Sequence, residues 1–356
     1  MDGVPGSLAP LVLIFAAAAA GVWIAGVWLS RTTDVLADRF DLGEALGGSI
    51  LLAFTTNLPE IAITFSAALA HNLGIAIGNI LGGIAIQTVV LAVLDLWGLG
   101  RSDPLTYRAA SLQLVLEGAL VVAVLVVAVM GTQVSPRLYF ERLEPAALLI
   151  LVIWVVGLWL VGRASRGLPW HEQGNAPGGQ ELPRGTRVAK TSEEANRRGV
   201  GTRRAALVFA LAAVATLIGG VLLERSGEKI AGQIGMTGVL FGATVLAAAT
   251  ALPEVSTGLA SVRMRDYQLA VSDIFGGNAF LPVLFLFAAL LSGSAVLPTA
   301  HKTDVYLTAL GALLTVVYIF GLIFRPRRQV VALGVDSALV VALYALGIVG
   351  LVFVSG

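Results

Sequence analysis

Ten runs of about twenty apolar residues divide this chain, and a run of that length has the reach of one membrane-crossing helix. They fall at 8–29, 43–68, 74–97, 108–130, 143–162, 205–223, 234–261, 269–292, 304–324 and 337–354. In hydrocarbon each backbone polar group must be satisfied inside its own segment, so such runs fold as helices. Composition agrees: 57% of the residues are hydrophobic and 13% charged, against about 25% charged in a soluble domain. The absence of cysteine rules out disulfides and thiolate metal sites. His71, His171 and His301 all fall in loops or at segment ends, which leaves no basis for a histidine cluster or a Ser-His-Asp arrangement. A net charge of +1 gives no argument for a nucleic-acid partner. The expectation is an all-α membrane protein of ten transmembrane helices, partnered by the lipid bilayer, with no enzymatic activity and no cofactor. The first run lacks a preceding basic stretch and reads as a retained span, a cleaved leader being the lesser alternative.

Basic residues orient the spans, because lysine and arginine accumulate in cytoplasmic loops. With the N-terminus outside, 18 of the 23 lysines and arginines face the cytoplasm, and only Arg137, Arg142, Arg225, Lys229 and Lys302 lie outside. The expected location is a cell membrane, multi-pass, with both termini outside. The polar stretch 163–204 is rich in Gly, Pro and charge, and reads as a disordered cytoplasmic linker. It separates a first five-helix unit (1–162) from a second (205–356).

The two units contain the same pattern. "TTNLPEIAITFSAALAHNLGIAIGNILGGIAIQ" (55–87) aligns without a gap with "ATALPEVSTGLASVRMRDYQLAVSDIFGGNAFL" (249–281), 194 residues later. Leu-Pro-Glu recurs at 58–60 and 252–254, and Gly-Gly at 82–83 and 276–277. On the orientation above, the helix with Glu60 and the helix with Glu254 run in opposite directions. Two inverted five-helix repeats with interrupted helices at matching positions are a transporter architecture, with the substrate site near the midplane.

Proline lacks a backbone donor and collides with the carbonyl four residues earlier, so each Leu-Pro-Glu helix should break there. The carbonyls near Thr55 and Thr56, and near Ala249 and Thr250, then become available as oxygen ligands. A lone carboxylate at the bilayer midplane costs at least about 2.5–3.5 kcal/mol, and two facing each other repel. A cation between Glu60 and Glu254 relieves both penalties. Asn79, Gln87, Asp273 and Asn278 add polar groups on the second helix of each repeat. An oxygen set with two carboxylates and no sulfur or imidazole suits calcium, magnesium or sodium rather than zinc or copper.

At these residues the chain resembles the calcium/cation antiporter superfamily, the sodium/calcium exchangers and their proton-coupled relatives. Their repeats read G-T-S-L-P-E followed by G-N-x-x-G-S-N-x-x-N/D. The resemblance implies that Glu60 and Glu254 are the central acidic ligands and that Thr56 and Thr250 are the threonines before them. The serine of G-T-S is Asn57 in one repeat and Ala251 in the other; the serines of G-S are Gly83 and Gly277; the final Asn/Asp is Gln87 and Leu281. The candidate ligand set is therefore Glu60, Glu254, Thr56, Thr250, Gln87, Asn57, Asp273 and Asn278. For Asp273 and Asn278, helix–helix hydrogen bonding competes with ion contact, and Asp273 could instead line an access path. The lost hydroxyls point to fewer counter-ions or to coupling by protons.

The implied function is antiport of calcium or a similar cation against protons or sodium. A passive cation channel and a non-transporting membrane scaffold are the alternatives. Gln113 and Glu117, four apart on one helix face, read as a buried hydrogen bond between helices, with Glu117 as a vestibule acid or proton relay the lesser alternative. Asp95, Glu144 and Asp304 lie at span ends and read as interfacial.

Overall fold

The two Leu-Pro-Glu prolines set the centre of the fold. In the computed structural model, which describes residues 7–40, 48–100, 102–109, 111–134, 143–164, 167–170, 186–236 and 238–355, each proline opens a new helix immediately after a break. In the first half α2 (Gly48–Thr56) stops and α3 (Leu58–Leu69) begins, with Asn57 between them. In the second half α11 (Ala247–Thr250) and α12 (Leu252–Arg263) are separated at Ala251 and bent by 48°. Only Asn57 N to Ala53 O (3.3 Å) and Ile61 N to Asn57 O (3.0 Å) carry the backbone ladder across the first break. The second repeats this with Ala251 N to Ala247 O (3.0 Å) and Val255 N to Ala251 O (3.1 Å). The expected interruption is present in both halves.

Around these breaks run α1 (Leu8–Arg39), α4 (Leu73–Val93), α5 (Leu105–Ala109), α6 (Leu112–Thr132), α7 (Pro145–Ala164), α8 (Thr186–Arg197), α9 (Thr202–Ile234), α10 (Gly238–Phe241), α13 (Tyr267–Phe280), α14 (Leu284–Ser292), α15 (Lys302–Phe324) and α16 (Val335–Ser355). Among the described residues, eight helices are long and apolar enough to cross a membrane, nine if the bent pair is counted as one. The expected span 43–68 corresponds to the α2–α3 pair, whose preceding residues 41–47 lie outside the described part. A short antiparallel pairing of Gln329–Val330 with Leu333–Gly334 joins α15 to α16.

The helices after the breaks are the innermost. Over an 18-residue apolar window, the spans built on α4 and α13 are 83% and 78% buried, whereas those of α1 and α9 are 22% and 28% buried. Long apolar side chains such as Ile77, Ile80, Ile84, Ile274 and Phe275 fill the space between α4, α13 and their neighbours. The glycine pairs permit the close approach expected of them: a methyl on Gly82 would run into the backbone of Ala243, and one on Gly276 would meet Ala53 Cβ at 3.3 Å.

The outer helices α1 and α9 pack along each other, and each crosses to the opposite half. A methyl group on Gly26 of α1 would lie 2.8 Å from Pro253 Cβ, and one on Gly220 of α9 would lie 2.9 Å from the Pro59 carbonyl oxygen. Gly26 and Gly220 are 194 residues apart, as are Pro59 and Pro253. The repeat read from the motifs therefore reappears as a crossed pair of packing contacts.

The helix ends and the linker differ from expectation. Both α1 and α9 extend well beyond their apolar runs, and α1 continues through Ser30–Arg39. Within the stretch expected to be a disordered linker, α8 is helical; its pairs Glu193–Arg197 and Glu194–Arg198 lie four apart on one face, a spacing that supports a helix. Ser192 donates to Asp38 (2.6 Å), and Arg39 donates to Asn196 (2.7 Å) and Thr202 (3.0 Å), tying α8 to the end of α1. The end of the molecule where α8 sits is called the linker face below.

Asp95, Glu144 and Asp304 are buried rather than interfacial. Asp95 accepts from Leu105 N (2.9 Å) and Gly334 N (2.6 Å), and Glu144 from Val296 N and Leu297 N (3.0 Å each). Burial pushes the Glu144 carboxyl above its ordinary range while those two amides pull it back. Asp304 closes a capping box with His301 at the start of α15. Each carboxylate satisfies backbone donors at a helix or loop end. Gln113 donates to Glu117 at 3.4 Å, a half-buried bond within α6 itself.

Candidate cation site between the two broken helices

Each break delivers a carboxylate to the molecular centre. Glu60 and Glu254 sit in the first turn after their prolines, and both are fully buried. A single amide group joins them: Gln87 Nε2 lies 3.4 Å from Glu60 Oε1, 3.3 Å from Glu254 Oε1 and 3.1 Å from Asn57 Oδ1. Two hydrogens serve three acceptors, so the donors are fewer than the lone pairs around them.

The threonines cross between halves. Thr250 lies beside the Glu60 carboxylate, and Thr56 lies beside that of Glu254. Their hydroxyls also return to their own helices, Thr56 to Leu52 O (3.1 Å) and Thr250 to Ala247 O (3.2 Å). A threonine can turn its hydrogen to the backbone and leave an oxygen lone pair facing the acids. Glu60 Oε2, Glu254 Oε2 and Gln87 Oε1 are buried with no hydrogen-bond partner. Buried polar groups in folded proteins are nearly always paired, so three unpaired acceptors at one place call for an electropositive guest.

The remaining expected residues divide. Asn57 belongs to the centre, but its amide is largely spent: Nδ2 donates to Ala53 O (2.6 Å) and Oδ1 accepts from Gln87. Asn278 donates its Nδ2 to Thr88 Oγ1 at 3.0 Å, and its Oδ1 is buried with no hydrogen-bond partner. Asp273 stands one hydroxyl back, accepting from Thr56 at 3.4 Å on Oδ1 and from Thr257 at 2.7 Å on Oδ2. Among the described residues, no three acidic or histidine side chains converge as one metal-binding group; the site consists of two carboxylates with amide and hydroxyl oxygens. Thr257 and Thr88 escaped the motif reading. Thr257 was findable as the hydroxyl three residues after Glu254 on the same helix face.

The departures from the antiporter pattern have a packing logic. A methyl on Gly277 would lie 2.6 Å from Asn57 Nδ2, so Asn57 fills the room that a side chain at 277 would need. On the other side, a methyl on Gly83 would meet Leu281 Cδ1 at 3.6 Å. One flank of the acids is lined by the Asn57 and Gln87 amides; at the repeat-related positions, 194 residues later, the chain carries Ala251 and Leu281.

The model of the sodium/calcium exchanger protein family matches residues 10–162 and 204–353. The chain is 26% identical over 272 residues to inner membrane protein YrbG of Escherichia coli K12, covering 76% of this chain and 77% of that one. It is 25% identical over 259 residues to the putative antiporter CaxA of Alkalimonas amylolytica, covering 73% of each. Among solved structures, the H+/Ca2+ exchanger CAX superposes with a TM-score of 0.68 at 12% identity, over 96% of this chain and 82% of that one. The sodium-calcium exchanger NCX_Mj superposes with a TM-score of 0.60 at 16% identity, over 96% and 99%. At such identities the likeness concerns the fold.

Proposed function

The chain belongs to the sodium/calcium exchanger protein family, and on that premise we propose that it is a secondary-active antiporter moving calcium or a similar hard cation against protons or sodium. The observation that carries this reading is the group of unpaired oxygens, Glu60 Oε2, Glu254 Oε2 and Gln87 Oε1, buried between the two broken helices. A divalent cation there is neutralised by the two carboxylates. Gln87, Thr56 and Thr250 supply neutral oxygens, Asn57 holds Gln87 in place, and the carbonyls released at the breaks complete the shell. Asp273 stands one hydroxyl outside that shell. The distribution of basic residues supports a cytoplasmic linker face with both termini outside.

Exchange follows from electrostatics. Two facing buried carboxylates without a cation repel, and each pays a desolvation cost. The empty protein should resist the change from one access state to the other. A counter-ion on the same carboxylates lifts that resistance, which makes countertransport obligatory.

The test is calcium flux into proteoliposomes with and without an opposing ion gradient. Antiport requires that uptake against a calcium gradient occur only when a counter-ion gradient is imposed. Calcium equilibration without any counter-ion would instead identify a passive channel.

Alternating access requires the outer helices to move against the core, and the crossed Gly–Pro contacts lie on that sliding surface. Gly220→Val should crowd α9 against Ala62 and Pro59, costing about 1–3 kcal/mol from overpacking. The expected result is a lower melting temperature and transport slowed by about tenfold, since ~1.4 kcal/mol on a barrier is tenfold in rate. Gly26→Val should do the same against Pro253. Unchanged transport in both variants would place the moving surface elsewhere.

A further inference from the structure

The repeat is least symmetric where it leaves the central acids. In the second half Asp273 and Thr257 stand beyond Glu254; the corresponding residues of the first half, 194 positions earlier, are Asn79 and Ile63. A carboxylate is matched by an amide, and a hydroxyl by hydrocarbon.

The surroundings follow the same division. On the linker face a cavity of about 380 Å³ opens between α1, α8 and α12, and Thr257 forms part of its wall with Ser30, Asp34 and Ser256. From Thr257 a polar path runs inward: Thr257 Oγ1 donates to Asp273 Oδ2 at 2.7 Å, Thr56 Oγ1 donates to Asp273 Oδ1 at 3.4 Å, and Thr56 lies beside the Glu254 carboxylate. On the opposite side Ile63 lies in an apolar cluster with Leu11, Val22, Leu223, Phe241 and Leu246. Further out on that side, Ser66 donates to Glu224 (3.2 Å) and Asn72 to Glu228 (2.7 Å), joining the first-half core to α9. Among the described residues, the hydrogen-bonded route from a cavity toward Glu254 is on the linker face.

We propose that Asp273 is a staging ligand for the linker face, the first carboxylate that meets a cation passing from the cavity past Thr257 and the one that hands it to Glu254. The cation class is that of the central site, a hard divalent ion bound through oxygen, and the inference rests on the antiport reading above. The cavity wall carries both signs: Arg31 and Arg263 with Asp34, and Glu194 already paired with Arg198. A net inward pull on a cation at the mouth must therefore come from deeper, and Asp273 is the acid placed to supply it. A fixed charge focused by low-dielectric walls raises the association rate of its counter-ion by about tenfold or more. Asp273 is also held by the Thr257 hydroxyl at 2.7 Å, so its Oδ2 is oriented before a cation arrives.

The test uses the full-length protein in sealed vesicles of known orientation, with radioactive calcium as the probe and Glu254→Gln as control. Asp273→Asn installs the residue that the first half carries at the equivalent position, which the fold accommodates there as Asn79. The expected result is a KM for calcium raised about tenfold when calcium is supplied at the linker face and less than about twofold from the opposite face. Thr257→Val, which keeps the shape and removes the hydroxyl, should shift KM in the same one-sided direction by a smaller factor. Equal increases from both faces would make Asp273 part of the central shell and overturn the staging role. No increase from either face would overturn it as well. If Glu254→Gln transports as well as wild type, the central site itself is misplaced and both readings fall together.

Discussion

Glu254→Gln should lose at least about a hundredfold of calcium exchange while becoming the more stable protein in the absence of cations. Both halves of this result have one cause. In the native chain Glu254 and Glu60 face the same Gln87 amide, buried and each with an unpaired second oxygen. Removing one carboxylate from a buried ion cluster costs about 3–5 kcal/mol, because the remaining charge is left uncompensated. At 1.4 kcal/mol per factor of ten, about 3 kcal/mol is roughly a hundredfold in affinity. Without a cation the argument reverses: the facing acids of the native chain repel, whereas the amide introduced by the substitution can donate to Glu60. The melting temperature of the cation-free variant should exceed that of cation-free wild type. Adding calcium should then stabilise only the wild type, by about 2.7 kcal/mol at a hundred times Kd. Glu60→Gln should behave alike because the site is pseudo-symmetric. A variant with wild-type flux, or an equal calcium-induced shift in melting temperature, would remove the carboxylates from the mechanism. The two readouts are independent, so a variant that merely misfolds is recognised by its lower melting temperature.

Much of this site is legible in the sequence because proline acts locally. Pro59 and Pro253 each impose a break that needs no tertiary information, and the glutamate follows in the next position. The recurrence 194 residues later marks the second acid, and both acids meet the same Gln87 amide. The length of α1 and α9 is less legible: Ser30–Arg39 is polar, and an apolar count stops at Leu29, whereas the helix continues because Asp38 and Arg39 are held by α8 and the start of α9. Asp95 and Glu144 look interfacial because they lie at span ends. Among their partners, Gly334 of Asp95 and Val296 of Glu144 are more than a hundred residues away. The pairing of Asn57 with Gly277 is of the same kind, since each looks like a lost serine until the side chain of one is found in the space left by the other. Motif positions revealed which oxygens were missing, but only packing revealed that the losses compensate in shape.

The second large effect concerns the driving ion: an imposed pH gradient should drive calcium uptake, and a sodium gradient of equal size should drive less than about a tenth as much, a difference of ~1.4 kcal/mol or more in the coupled step. Sodium is a hard cation that needs a shell of several oxygens, whereas a proton needs one carboxylate lone pair. On the amide-lined flank Gln87 and Asn57 already spend hydrogen bonds on each other. At the repeat-related positions Ala251 and Leu281 are buried apolar residues, and Gly83 has no side-chain oxygen. No side chain there can complete a shell for sodium beside the one that calcium uses. Two buried carboxylates that share one amide can instead take protons when the divalent cation leaves, which removes their mutual repulsion and frees the outer helices to move. Leu281→Asp supplies the converse, because it restores an acid at the end of the motif where antiporters of this type carry Asn or Asp; sodium-driven uptake should rise in that variant while pH-driven uptake falls. Sodium-driven uptake by the wild type at the rate of pH-driven uptake would mean that the carbonyls at the two helix breaks supply the missing ligands. In that case Leu281→Asp should change little, so the pair of measurements separates side-chain from backbone coordination.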